Sequence, residues 1–394
     1  MRIEEHQGNR STAWFVDQIR ERQSFTEFEE QARKLAPEFF GHVVLPVGNL
    51  PTDIMSWAIC WCRYIDRAAP IVSREAAIQG FVRDLECFLL NGGEFVTIST
   101  LRGLSLPEGV TDIVLTEGDP AVGTVILHRM TPQEFADHLS RDILDNGPDL
   151  FTTFATTASI IHRWQFSPSA VEERQRVDFR DQQREIEDNV IRALHIGGQG
   201  RVYISGISSH VEPAVAPSTT GVSMASGSND PGGMTLQPSG VEVIKEVFPL
   251  LFDCRPEIRV AADRIVDAER RLKPADAVVD AAIGLETLLL NNNQELTFRV
   301  QLNYAFLADP EHRAARVATI KQLYKMRNKI VHGLIRTPNA DVRAMVEASG
   351  AGIPALRDAL LRFLRDPILR TKGHKLDDDY WLGRIVGPEP RARP

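Results

Sequence analysis

Cysteine is scarce in this chain. Four occur in 394 residues, Cys60, Cys62, Cys87 and Cys254, too few and too irregularly spaced for a disulfide framework. Cys60-x-Cys62 lacks the two-residue spacer of a zinc or redox pair, and no second pair accompanies it. The thiols of WAICWCRY therefore read as small core residues, and a reducing, cytoplasmic setting is expected. Long apolar runs are missing too, since none approaches the ~20 residues a helix needs to cross a bilayer. The first ten residues, MRIEEHQGNR, are polar and mixed in charge, unlike a secretory signal. No membrane partner is expected. There is no GxxxxGK[ST], which removes the phosphate-cradling loop of nucleotide hydrolases. No His/Cys spacing or carboxylate cluster suits a metal ion, so neither metal nor cofactor is expected. Asp377, Asp378 and Asp379 are adjacent rather than spaced along a helix face, and they read as part of a solvated tail.

What is present is ordinary in bulk and uneven in detail. Hydrophobic residues make up 43% and charged residues 25%, which suits a soluble globular protein with room for two or three domains. The net charge of −8 argues against a chain that coats nucleic acid over its whole surface. It also makes any local concentration of basic residues more informative.

In chain order, residues 11–40 read as helical, with Pro37 as a stop, and residues 42–45 as a short strand. Helical patterns follow at 52–64 and at 73–90, the latter capped by Ser73 and ended by Asn91-Gly92-Gly93. FVTISTL (95–101), TDIVL (111–115) and VGTVILHRM (122–130) are rich in β-branched residues and predict a small antiparallel meander. Thr131-Pro132-Gln133-Glu134 has the form of a capping box opening a helix. Residues 150–164 and 201–209 are β-prone, and the charged stretch 171–194 between them is helical in pattern. Gly197 to Gly200 reads as a turn. Pro217 to Gly240 has no Lys or Arg and few large apolar side chains, so residues 216–240 are expected to be a flexible linker or loop.

From Val241 onward the helical period takes over. Helices are expected at 241–252, 258–272, 275–290, 295–307, 313–332 and 353–363, with Asn291-Asn292-Asn293 closing the third. The fold class is therefore α+β. A mixed α/β region (1–215) with a small antiparallel sheet precedes an all-α bundle (241–370), and a tail (371–394) closes the chain.

The bundle contains an unusually basic helix. Between Glu311 and Arg336 stand Arg313, Arg316, Lys321, Lys325, Arg327, Lys329 and Arg336 against the single acid Glu311. Lys321, Lys325, Lys329 and His332 form one stripe, and Ile320, Leu323, Met326 and Ile330 form an apolar one. A solvated cationic face is one reading, and a track for a polyanion is the other. The helix ends in LYKMRNKIVHG, where Asn328 and His332 are about 40° apart around the axis and Arg327 is about 140° from His332. Gly333 stands where a left-handed glycine ends helices.

These residues resemble the HEPN superfamily, whose R-x4-6-H signature takes the form Arg327-Asn328-Lys329-Ile330-Val331-His332 here. With ADAVVDAAIGLETLL (275–289), Arg299 and QLYKMRNKIVHG (322–333), the stretch 241–363 is similar to the Apea-like HEPN subgroup. The resemblance implies a helical bundle, RNA as the partner, and catalysis by Arg327, Asn328 and His332 with Lys321, Lys325 and Lys329 along the RNA. Glu286 matches an acidic position of the pattern and is expected to pair with Arg299 or Arg327. Tyr324 is expected to pack. The resemblance further implies dimerisation that brings two motifs to one composite cleft, as a homodimer or higher homo-oligomer, and a place in antiviral (antiphage) defence. The region 1–215 would then sense a phage-derived or nucleic-acid trigger. Histidine can move a proton near neutrality, and arginine can hold phosphate oxygens. Those parts suffice for endoribonuclease hydrolase chemistry through the RNA 2′-hydroxyl without a metal. The alternative is a non-catalytic HEPN module for RNA or nucleotide binding and dimerisation.

Overall fold

The computed structural model describes residues 71–91, 93–131, 134, 156–166, 173–212, 219–221, 233–290, 296–335, 338–371, 380, 381 and 383. The patterns at 11–40, 42–45 and 52–64, together with Cys60, Cys62, Asn291 to Asn293 and Asp377 to Asp379, lie outside them. Two compact units divide the chain. The first takes residues up to 103, 110–187 and 203–228; the second takes 104–109, 188–202 and everything from 229. The architecture is α+β, with an antiparallel sheet in the first half and helices in the second. Among the described residues no helix is long and apolar enough to cross a membrane.

The first unit begins with helix α1 (Arg74–Asn91), where Ser73 Oγ accepts the Ala76 N–H at 3.2 Å as the expected cap. Strands β1 (Gly93–Arg102), β3 (Asp112–Asp119), β4 (Gly123–Arg129), β5 (Thr156–Phe166), β6 (Tyr203–Glu212) and β7 (Thr219–Gly221) follow, with β2 (Leu104–Ser105) intervening. The six join in the order β3-β4-β5-β1-β6-β7, with every pairing antiparallel. This corrects the small meander. Only β3 and β4 pair as sequence neighbours among the three expected strands, while β1 sits inside the sheet between β5 and β6. Period-two patterning identifies a strand but not its partner, and the long ten-residue β1 can satisfy both its edges only in the middle.

Register puts Phe95, Thr97, Ser99 and Leu101 of β1 on the same face as His162 and Ile160 of β5. Helix α2 (Glu173–Gly197) gives its residues up to Glu187 to this unit. Gln183 and Glu187, one turn apart, engage that face. Ser99 Oγ donates to Glu187 at 2.6 Å, the Gln183 amide donates to Glu187 at 2.9 Å, and His162 Nδ1 meets the Gln183 oxygen at 2.5 Å. The capping box at Thr131 is present in full, since the Thr131 N–H donates to Glu134 and the Glu134 N–H to Thr131 Oγ1.

Among its described residues the second unit holds the end of α2, β2 paired in parallel with β8 (Met234–Thr235), and seven further helices. They are α3 (Pro238–Leu250), α4 (Pro256–Arg270), α5 (Pro274–Leu289), α6 (Leu296–Phe306), α7 (Pro310–Val331), α8 (Pro338–Arg365) and α9 (Pro367–Thr371). Helix α5 packs against α4, α6, α7 and α8. Its alanine-rich sequence is apolar nearly all round, and Ala277, Val278, Ala281, Ala282, Leu285, Leu288 and Leu289 are buried.

Three expectations change here. Residues 216–240 are not linker throughout: Thr219–Gly221 is a strand, Met234 and Leu236 are buried, and α3 already starts at Pro238. Met234 and Leu236 are among the few large apolar side chains in that stretch, and burying them orders it. Helix α8 starts fifteen residues before the expected Ile353, running through Gly350, Gly352 and Pro354. Its buried Met345, Ala348, Ala355, Leu356, Ala359, Leu360 and Phe363 form one continuous stripe, and that packing outweighs the local breakers. The tail is not solvated throughout, because Trp381 is buried.

Candidate functional site

Helix α7 carries the basic residues singled out from the sequence. Ile320, Leu323, Tyr324 and Met326 are buried, Lys321, Lys325 and His332 are exposed, and Arg327, Asn328, Lys329 and Ile330 are half-buried. Amphipathic spacing therefore turns the lysine stripe outward. Arg313 and Arg316 take no part in it. The Arg313 guanidinium lies 4.2 Å from the Phe306 ring centroid, and that of Arg316 lies 4.4 Å from the Tyr304 ring while pairing with Asp358. Those two arginines hold α6 and α8 to α7, leaving Lys321, Lys325 and Lys329 as the outward cationic row.

The end of α7 is closed by a Schellman motif. The His332 N–H donates to Asn328 O (3.0 Å), the Gly333 N–H to Ile330 O (3.1 Å), and the Leu334 N–H to Lys329 O (2.8 Å). Gly333 has φ +64°, the left-handed conformation that this closure needs. His332 occupies the cap at φ −90° and ψ 8°, with its side chain in solvent. Lys329 and the imidazole stand at the negative end of the helix dipole, which favours positive charge there.

One turn back, Arg327 is held from two sides. Its Nη1 donates to Asn328 Oδ1 at 3.4 Å, and its Nη2 lies 3.5 Å from Glu286 Oε1 on α5. The Tyr324 hydroxyl donates to that same Oε1 at 3.0 Å. Burial and the neighbouring Glu286 carboxylate push the Tyr324 phenol well above its usual range, so it stays a neutral donor. The Arg327 side chain is 23% exposed, and its enclosed Nε makes no hydrogen bond. Glu286 thus pairs with Arg327, one of the two arginines proposed for it.

The structure thus gathers Arg327, Asn328, Glu286 and Tyr324 into one cluster. His332 stands apart at the helix end, and its imidazole makes no hydrogen bond to them. Three neighbours were missed in the sequence. Val331 (54% exposed), Leu334 (52%) and Ile335 (36%) flank His332 in the chain and are exposed apolar side chains. The signal was legible in IVHGLI, where apolar residues continue past the glycine that ends the helix. Among the described residues no group of three His, Cys, Asp or Glu side chains is placed to hold a metal ion.

Chemically, the site offers a surface imidazole, a positioned guanidinium and a lysine row. The chain matches no protein-family model, no curated protein and no solved structure.

Proposed function

We propose that this chain is a metal-independent endoribonuclease of the HEPN type that cuts RNA at a composite site built by two copies. The observation that carries the reading is the end of α7, where a guanidinium held by Glu286 and Asn328 belongs to the same last turns of helix as an exposed imidazole. In this scheme His332 takes the proton of a ribose 2′-hydroxyl, and the freed oxygen attacks the adjacent phosphorus. The 5′-oxygen leaves with a proton from the partner copy's imidazole. Arg327 neutralises the charge that builds on the phosphorane oxygens, and the products carry a 2′,3′-cyclic phosphate and a 5′-hydroxyl. Lys321, Lys325 and Lys329 attract the backbone on either side of the cut.

One protomer supplies one such imidazole. The exposed Val331, Leu334 and Ile335 that flank it in the chain offer a second copy an apolar seat. On this reading the protein works as a homodimer or larger homo-oligomer in the cytoplasm, in antiphage defence. The sheet-containing unit senses the trigger and restrains a nuclease that would otherwise be toxic.

The test uses a fluorescent RNA oligonucleotide with excess EDTA. Cleavage should persist, stop at a position carrying a 2′-deoxyribose, and fall by about 10²- to 10⁴-fold in Arg327→Ala and His332→Ala proteins that keep the wild-type circular dichroism spectrum. Dependence on Mg²⁺, or full activity in His332→Ala, would sink the scheme. A second reading, a non-catalytic RNA-binding and dimerisation module, is favoured by the Tyr324–Glu286–Arg327 cluster, which gives Arg327 a packing role of its own. In that case the wild type binds the oligonucleotide and releases it intact.

A further inference from the structure

Exposed aliphatic side chains gather at the turn from α7 into α8. Among the described residues thirteen large apolar side chains are exposed, and five of them, Val331, Leu334, Ile335, Val342 and Val346, fall within sixteen residues of sequence. The last two stand one turn apart in the first half of α8. Two contacts show how α7 and α8 run. Leu323 lies against Gly352, where an added Cβ would come within 2.7 Å of a leucine methyl, and Arg316 pairs with Asp358. Residue numbers that rise along α7 therefore fall along α8, and the two helices are antiparallel. At about 1.5 Å of rise per residue on both, His332 reaches the level of Val342 and Arg343, and Asn328 that of Val346 and Glu347.

The inward side of this half of α8 is already used, since Met345 and Ala348 are buried. Val342 (47% exposed) and Val346 (52%) lie on another line of the helix, about 40° apart around the axis, which the half-buried Ile353 continues. Arg343 and Glu347 run along one flank of that line and pair with each other at 3.1 Å. Such a strip is self-complementary. When two identical helices pack antiparallel about a twofold axis, residues of the same flank meet. An axis at the level of position 345 sets Arg343 of each copy opposite Glu347 of the partner subunit and merges the two valine strips into one seam. A purely cationic or purely anionic partner would match only one of the two charges.

We propose that a second copy of the chain docks α8 against α8, antiparallel, through Val342 and Val346 with crossed Arg343–Glu347 pairs. This rests on the composite-site reading and names the surface that assembles it. With the axis at position 345, the levels of the two His332 residues are about five residues, or roughly 7 Å, apart along the seam.

The experiment is sedimentation velocity on the full-length protein and on variants that keep the wild-type circular dichroism spectrum. The wild type should sediment as a dimer. Arg343→Glu and Glu347→Arg each place like charges across the seam twice, and each should raise the dimer dissociation constant at least tenfold. Mixed in equal amounts, the two variants should associate as tightly as the wild type, because two glutamates of one copy then face two arginines of the other. The double variant R343E/E347R should regain self-association in the same way, and Val346→Asp should remain monomeric. The proposal is overturned if either single reversal dimerises as tightly as the wild type, or if the mixture associates no better than its components. A wild type that stays monomeric at every concentration removes both the seam and the composite site. A dimer that obeys the charge swap yet leaves RNA intact supports the seam and removes only the ribonuclease reading.

Discussion

Asp280 is 4% exposed, and two arginines, Arg264 of α4 and Arg271 just after it, reach its carboxylate. Burial among charged neighbours also sets the pH response at His195, which is fully enclosed with Nδ1 2.6 Å from Glu269. Burial pushes this imidazole below its usual range, and the nearby Arg270 and Arg357 push the same way against the pull of Glu269. Burial acts likewise on His162. Because the folded pKa lies below the unfolded value of about 6.5, the folded state takes up fewer protons. Each histidine's contribution is therefore whole above about pH 6.5 and is lost as pH falls toward the folded pKa. Urea midpoints should drop between pH 7 and 5.5, and His195→Gln should flatten part of that slope. A midpoint that rises on acidification would contradict this account. At the candidate site, Tyr324→Phe leaves a half-buried carboxylate short of one donor. It should cost about 1 to 3 kcal/mol in chemical denaturation. If the cluster also positions Arg327, cleavage should decline with it, while His332→Ala, at an exposed position, should leave stability within about 0.5 kcal/mol.

Most of the helices of the second unit announce themselves by proline. α3, α4, α5, α7, α8 and α9 all start on one, where the missing N–H is no loss and the fixed φ suits the first turn. The sequence pattern places the starts of α3, α4 and α7 two or three residues late, at 241, 258 and 313, and that of α8 at 353 rather than Pro338. Glycines inside or beside the helices divide into three kinds that sequence alone does not separate. A Cβ at Gly240, in the first turn of α3, would stand 2.5 Å from the carbonyl oxygen of Gly197 at the end of α2. A Cβ at Gly350, inside α8, would meet nothing within 4 Å. Gly240→Ala should therefore destabilise by about 1 to 3 kcal/mol, because backbone has to move. Gly350→Ala should stabilise by about 0.5 to 1 kcal/mol through helix propensity. Paired urea titrations decide both, and equal effects would refute the distinction. Gly333 is a third kind, since open space surrounds it and only its φ of +64° resists a side chain. Gly333→Ala should cost about 1 kcal/mol and loosen the backbone that carries His332.

At the scale of the whole molecule, a composite site predicts interference. Excess His332→Ala protein mixed with the wild type should lower the wild-type cleavage, because a mixed dimer retains only one of the two imidazoles that the reaction uses. Specific activity should fall on dilution as dimers separate, and a concentration-independent rate would remove the second copy from the mechanism. Rising salt should weaken RNA binding, with a log–log slope that becomes shallower by about 0.7 to 0.9 for each of Lys321, Lys325 and Lys329 replaced by Gln. The α+β class and the helix α7 with its two stripes were legible beforehand, because period and caps are local properties. The partners of β1, the burial of Met234, Leu236 and Trp381, and the recruitment of 104–109 and 188–202 into the helical unit were not, since all depend on contacts between residues far apart in the chain.

The order of residues by itself determined the longer strands, the presence of most helices, the lysine row and the glycine stop after His332, for the physical reason that each is settled within a few residues of backbone. Only the tertiary structure decided that Arg327 lies against Glu286 and Tyr324 while His332 does not. It also decided that Arg313 and Arg316 lie against aromatic rings, and that the Arg255 guanidinium is buried beside the Phe363 ring. Those outcomes follow from which helices meet and how closely, and packing distances of that kind are set by the fold as a whole rather than by any stretch of it.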